Sequence, residues 1–152
     1  MKPYPHRYSA TAAGRADGAV TLDSPSLAPI ATAPPPEFDG PGGLWGPETL
    51  LTAIVADCII LTFRAVARAS RFEWVALECR TEGELDRLDG VTQFTRFTTV
   101  AHLTIPPGAS AERARRLLEK AERDCLVANS LRGLRTMRIE VSTARGPALQ
   151  PA

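Results

Sequence analysis

Cysteine is scarce in this chain: Cys58, Cys79 and Cys125 are the three thiols among 152 residues. Three is too few for the disulfide framework that holds small secreted domains together. Histidine is scarcer still. His6 and His102 share no ligand spacing with each other or with a cysteine, which argues against a zinc site and leaves no metal or cofactor expected. No Cys-x-x-Cys, phosphate loop or Ser/His/Asp order is present. An excess of charge of one sign is also lacking. The 18 basic and 17 acidic residues are interspersed and leave a net charge of +1, so nothing favours nucleic acid or an anionic membrane surface. Met1 to Arg7 has no apolar segment behind it, so no secretory leader is expected. The longest apolar run, Thr49 to Phe63, contains Asp57, is flanked by Glu48 and Arg64, and falls short of the roughly 20 residues of a membrane span. It is expected as a buried core helix. A reducing, cytoplasmic setting follows as the expectation. In such a setting a cysteine pair that oxidises is catalytic or redox-sensing rather than structural.

A hydrophobic share of 44% over this length suits one domain with a sizeable core, expected over residues 8–142 with a loose tail from Ala144 to Ala152. Tyr8–Ala13 and Ala19–Leu22 read as strands joined by the turn Gly14-Arg15-Ala16-Asp17-Gly18, whose glycines supply positive φ. Leu27–Thr32 reads as a third strand that Pro29 confines to an edge. The loop Ala33–Gly46 is too rich in proline and glycine for regular structure. Pro47 suits a first helical position, and Glu48 meets the positive end of the helix dipole. The helix is predicted to run to about Ser70, apolar nearly all round, as in the centre of a fold or at a subunit interface. Strands are predicted at Phe72–Arg80, Val91–Ile105 and Leu134–Ser142, with a helix after the N-cap Ser110 whose apolar stripe runs from Ala114 through Leu117, Leu118 and Ala121 to Cys125. Strands, long helix, strands, helix and strand make an α+β pattern.

Cys58 and Cys125 both fall on apolar helical stripes. Each is either a small buried hydrophobe or half of a facing thiol pair, and a disulfide requires Cα atoms within about 7 Å. Cys58 lies mid-helix, where no helix N-terminus assists ionisation, so a reactive thiolate there needs a cation. Arg15, in the hairpin turn, carries a charge that cannot be lost, and Glu48 can hold a guanidinium by paired hydrogen bonds. In isolation Arg15 reads first as a solvated turn residue and Glu48 first as a helix-dipole partner. Cys79, in a strand pattern, reads as buried and inert.

Gly46-Pro47-Glu48-Thr49-Leu50-Leu51 followed by Asp57-Cys58 resembles the Pro-Glu-x-Leu-Leu…Cys helix of the OsmC/Ohr family of organic hydroperoxide reductases. Cys125-Leu126-Val127-Ala128-Asn129-Ser130 resembles that family's second-cysteine motif, Cys-Pro-x-Ser-Asn, with Leu126 and Ala128 in place of its proline and serine. Gly14-Arg15 with Gly18 and Val20 resembles its arginine turn, with one extra residue before Gly18. The resemblance spans about Tyr8 to Val141. It implies an OsmC-like fold: strands, a long buried central helix, a second cysteine-bearing helix, and an intertwined homodimer. It also implies a peroxidase in which Cys58 becomes a sulfenic acid, Cys125 closes a disulfide with it, Arg15 stabilises charge and Glu48 holds Arg15. The partners implied are an organic hydroperoxide and an external dithiol, a lipoyl group in relatives. A non-catalytic dimer of the same fold, binding a small apolar ligand or sensing oxidants, is the alternative.

Overall fold

A computed structural model of the chain describes residues 3–144. Met1, Lys2 and the expected tail beyond Ala144 lie outside the described residues. Two compact units meet in sequence at Leu51 and Thr52, inside a helix.

The first unit holds an antiparallel sheet of three short strands, β1 (Thr11–Ala13), β2 (Val20–Asp23) and β3 (Ile30–Thr32), in the order β1-β2-β3. The predicted hairpin is there, with Gly18 at φ 83° in its turn, where a Cβ would be strained. β1 and β3 are shorter than predicted. Pro29 cannot donate to a ladder, so β3 starts only at Ile30 and takes an edge, while Leu27 closes a turn onto the Ser24 carbonyl at 3.1 Å. The proline-rich loop is more ordered than expected. Its prolines preset φ for a 3-10 turn, Pro36–Phe38, and the Pro35 carbonyl accepts from the N–H groups of Phe38 at 2.9 Å and Gly40 at 3.1 Å. Trp45 bridges to Thr32 in parallel fashion, and Ala33 N–H donates to the Trp45 carbonyl at 3.0 Å.

Helix α1 (Pro47–Ala69) begins in the first unit, where the Gly46 carbonyl accepts from Leu50 N–H at 2.9 Å, and continues into the second. At 23 residues it outruns the apolar stretch marked in the sequence and is long and apolar enough, by length and composition alone, to cross a membrane. It buries Val55, Ile59, Phe63, Val66 and Ala67. The expectation of a helix buried all round does not hold within one chain: 28% of its most apolar stretch is buried, and Ile54 and Leu61 remain 45% and 51% exposed. One layer of sheet covers one face of a helix and leaves the other open.

The second unit continues with β4 (Ala76–Leu88), β5 (Val91–Ile105), α2 (Ala111–Arg123), α3 (Leu126–Asn129) and β6 (Leu134–Thr143). β4 and β5 form a long antiparallel hairpin turned at Asp89 and Gly90, both with positive φ, and β6 lies parallel to β5, which requires the crossover that α2 and α3 provide. β4 starts later and runs longer than the predicted Phe72–Arg80. Phe72 N–H is used to close the end of α1 on the Ala67 carbonyl at 2.9 Å, and the polar run Thr81–Leu88 hides a strand that pairs through to Val91.

Phe97, Thr99, Ala101, Leu103 and Ile105 alternate along β5 onto the covered face. With Ile59, Phe63 and Leu118 they form a core in which each large side chain contributes about 1.5–3 kcal/mol. Trp74 packs edge-on against Phe63 at 5.3 Å. Ser110 caps α2 by accepting from Arg113 N–H at 3.2 Å, while the Arg113 guanidinium donates to the Ser70 carbonyl at 2.5 Å and lies 5.5 Å over the Phe72 ring. These contacts fix α2 against the end of α1.

Candidate active site

Cys58 sits in the middle of α1, half-buried. Its position follows from the helical stripe: Val55, Ile59 and Phe63 turn inward, and Cys58 rides at the edge of that face. Its sulfur lies 3.9 Å from the Thr62 hydroxyl, one turn further along the helix.

Cys125 is not on α2, where the apolar stripe places it. The helix ends at Arg123, and Asp124 leaves helical geometry while accepting a salt bridge from Lys120 at 2.7 Å. Aspartate is a poor helix continuer, and Lys120 and Arg123 complement the negative end of the dipole. Cys125 is extended, at φ −65° and ψ 110°, and starts the short helix α3 as its N-cap. Its side chain is 0% exposed.

The two thiols face each other inside the second unit, both free. Burial pushes the Cys125 thiol up to about 11, and the neighbouring Cys58 thiol pushes the same way. The N–H groups of Ala128 and Val127 pull it back down. They point toward the Cys125 sulfur at the head of α3 without closing a capping bond of normal geometry. The net direction is up, so Cys125 is a proton-bearing thiol at neutral pH. The third cysteine, Cys79, is half-buried in β4 and also pushed up to about 11, by burial first and then by the neighbouring Glu78 carboxylate. The expectation of a buried residue there holds only in part.

Arg15 and Glu48 belong to the first unit. Arg15 is exposed in the β1–β2 turn. Glu48, in the first turn of α1, is half-buried, with Oε2 shielded from solvent and folded back over Gly46, where an added Cβ would stand 3.1 Å from it. It lines a cavity of about 510 Å³ whose walls are otherwise mostly apolar, including Ala12, Val20, Leu22, Phe38 and Leu50. The histidines are engaged elsewhere: His102 pairs with Glu140 at 3.1 Å and His6 stacks on Tyr4 at 4.6 Å. Among the described residues no group of three or more His, Cys, Asp or Glu could hold a metal ion.

The family model described as OsmC-like protein matches residues 40–141, which include α1, both facing cysteines, β4, β5 and all but the last two residues of β6. The chain belongs to the OsmC-like family. YmaD of Bacillus subtilis is 28% identical over 115 residues, covering 74% of this chain and 77% of that protein. An OsmC-like protein from Vibrio cholerae superposes with a TM-score of 0.81 at 17% identity, over 90% of this chain and 100% of the other. The organic hydroperoxide resistance protein OsmC of Legionella pneumophila superposes at 0.72 with 26% identity, over 92% and 99% of the two chains. The α+β class and the OsmC-like fold expected from the sequence hold: a long helix with two small sheets.

Two features of this OsmC-like site escaped the sequence reading. Thr62 was visible only as one more position on the helical stripe, although its i+4 spacing from Cys58 brings hydroxyl and sulfur together. The amide dipoles of Val127 and Ala128 depend on α2 ending early, which an unbroken apolar stripe conceals.

Proposed function

We propose that this protein is a cysteine-based peroxidase that reduces organic hydroperoxides to alcohols. The observation that carries the reading is the facing of Cys58 and Cys125, with Cys125 held as a protonated thiol. A protonated buried thiol is a poor nucleophile toward peroxide and a ready proton source, which assigns first attack to Cys58.

The Cys58 thiolate attacks the terminal peroxide oxygen, the O–O bond breaks, and the alkoxide leaves and takes a proton to become the alcohol. Cys58 is then a sulfenic acid. The Cys125 thiol condenses with it, releasing water and closing a disulfide. An external dithiol returns both thiols by exchange and is itself oxidised to a disulfide. Arg15, from the same or a partner subunit, stabilises the thiolate and the departing alkoxide, and Glu48 holds Arg15 in place. The apolar cavity lined by Glu48 gives hydrocarbon a surface to rest on. A homodimer covers the exposed face of α1, the cytoplasm supplies the reductant, and the similarity to the Legionella organic hydroperoxide resistance protein supports the choice of substrate class.

One observation favours a second reading. Leu126 stands where the family motif has proline and is 72% exposed beside Cys125, a surface suited to holding a small apolar ligand in a dimer without turnover, or to sensing an oxidant. Thiol titration after one equivalent of cumene hydroperoxide separates the two. The peroxidase loses two thiols together within seconds and keeps Cys79 reduced, and Arg15→Ala slows that loss. A chain that keeps all three thiols is a binder.

A further inference from the structure

We infer that Thr62 is a further catalytic residue, whose hydroxyl donates a hydrogen bond to the Cys58 thiolate. The inference rests on the assignment of Cys58 as the reacting thiol. Thr62 is half-buried on α1, and its Oγ1 lies 3.9 Å from the Cys58 sulfur, within reach of a hydrogen bond to sulfur. A threonine inside a helix commonly turns its hydroxyl back to the carbonyl four residues earlier. Here the hydroxyl meets the side chain of that same residue instead. Either atom can donate while Cys58 is a thiol, but a thiolate has no proton, so Thr62 must then be the donor. Cys125, which also neighbours Cys58, keeps its own proton. The Thr62 O–H is therefore a donor available to the thiolate from its own helix before any cation approaches.

This arrangement answers a difficulty in the position of Cys58. The middle of a helix offers no free N–H groups to a thiolate, because each is already bonded along the helix. A neighbouring side-chain hydroxyl one turn away is the nearest substitute. Cys125 cannot fill that role throughout the cycle, since its thiol is consumed when the disulfide closes. Thr62 is chemically unchanged by the reaction and can again donate to the Cys58 thiolate as soon as the reductant releases it.

The test uses alkylation, which needs no peroxidase turnover. Cys58 is labelled with iodoacetamide across pH in full-length Cys125→Ser protein, alone and combined with Thr62→Val or Thr62→Ser, and each labelled peptide is quantified. Loss of one charge-assisted hydrogen bond of moderate geometry slows labelling at pH 7 by about three- to tenfold in Thr62→Val and displaces the rate–pH curve to higher pH. Thr62→Ser, which keeps the hydroxyl, restores the rate. Superimposable curves for all three proteins overturn the inference, as does slowing in Thr62→Ser equal to that in Thr62→Val. Should cumene hydroperoxide prove not to be a substrate, the alkylation result still decides the role of Thr62 at the sulfur, so the two failures are distinguishable.

Discussion

Cys58, in the middle of α1, and Cys125, at the head of α3, bring their sulfurs together across the core of the second unit, although one lies on a long apolar helix and the other in the break between two short ones. In the proposed peroxidase the asymmetry of their settings divides the labour. Cys125 is fully buried and retains its proton; Cys58 is half-buried, with the Thr62 hydroxyl 3.9 Å from its sulfur.

The division predicts the behaviour of Cys125→Ser. This variant consumes one equivalent of hydroperoxide and stops, with Cys58 as a sulfenic acid that dimedone captures, and its turnover with a dithiol falls to background. Mass spectrometry of the dimedone adduct checks the outcome. Turnover equal to wild type would remove Cys125 from the resolving role.

Alkaline pH gives a second prediction. An ordinary thiol ionises near 8.5, whereas Cys79 and Cys125 are each pushed up to about 11. Between those values the unfolded chain has lost protons that the folded chain still holds, so stability falls as pH rises through this window and levels off above it. Below about pH 8.5 the two thiols contribute no slope. Urea unfolding under reducing conditions at pH 8 and pH 10.5 checks the sign, and replacing both cysteines with alanine flattens the slope.

Gly40 predicts a local stability effect in the first unit. A Cβ there would stand 1.7 Å from the Pro34 carbonyl oxygen, a backbone atom that cannot swing aside. Gly40→Ala destabilises by on the order of 3 kcal/mol. Gly43→Ala, at φ 75° with open space around it, carries backbone strain alone and costs about 1–2 kcal/mol. Equal effects in denaturant titrations would show that the loop yields around Gly40.

The exposed side of α1 predicts association. Leu61 is 51% exposed on a helix whose composition belongs in a core. If this face is covered by a second copy, Leu61→Glu buries a charge at a cost of several kcal/mol and converts a dimer to monomer in analytical ultracentrifugation. A wild-type monomer at micromolar concentration would contradict the homodimer.

Much of this was legible in the residues. The turn at Gly14–Gly18, the start of α1 at Pro47 and the full span of β5 follow from glycine, proline and alternating β-branched residues, whose effects are local. The extension of β4 to Leu88 was hidden, because pairing with Val91–Thr99 is set by a partner strand rather than by the polar run itself. The placement of Cys125 was misread for a similar reason. A helical stripe continues through Asp124 on paper, but the chain breaks there and puts the cysteine at a new helix start. Its meeting with Cys58 is a tertiary fact that no spacing within either segment encodes. The resemblance in the cysteine motifs carried that part of the expectation.

Steady-state loss of cumene hydroperoxide with dihydrolipoate as reductant, wild type against Cys58→Ser, tests the central claim most directly. The account predicts rapid multiple turnover in wild type and none in the variant. No loss with wild-type protein whose thiols are confirmed free, or equal loss in both proteins, would contradict it.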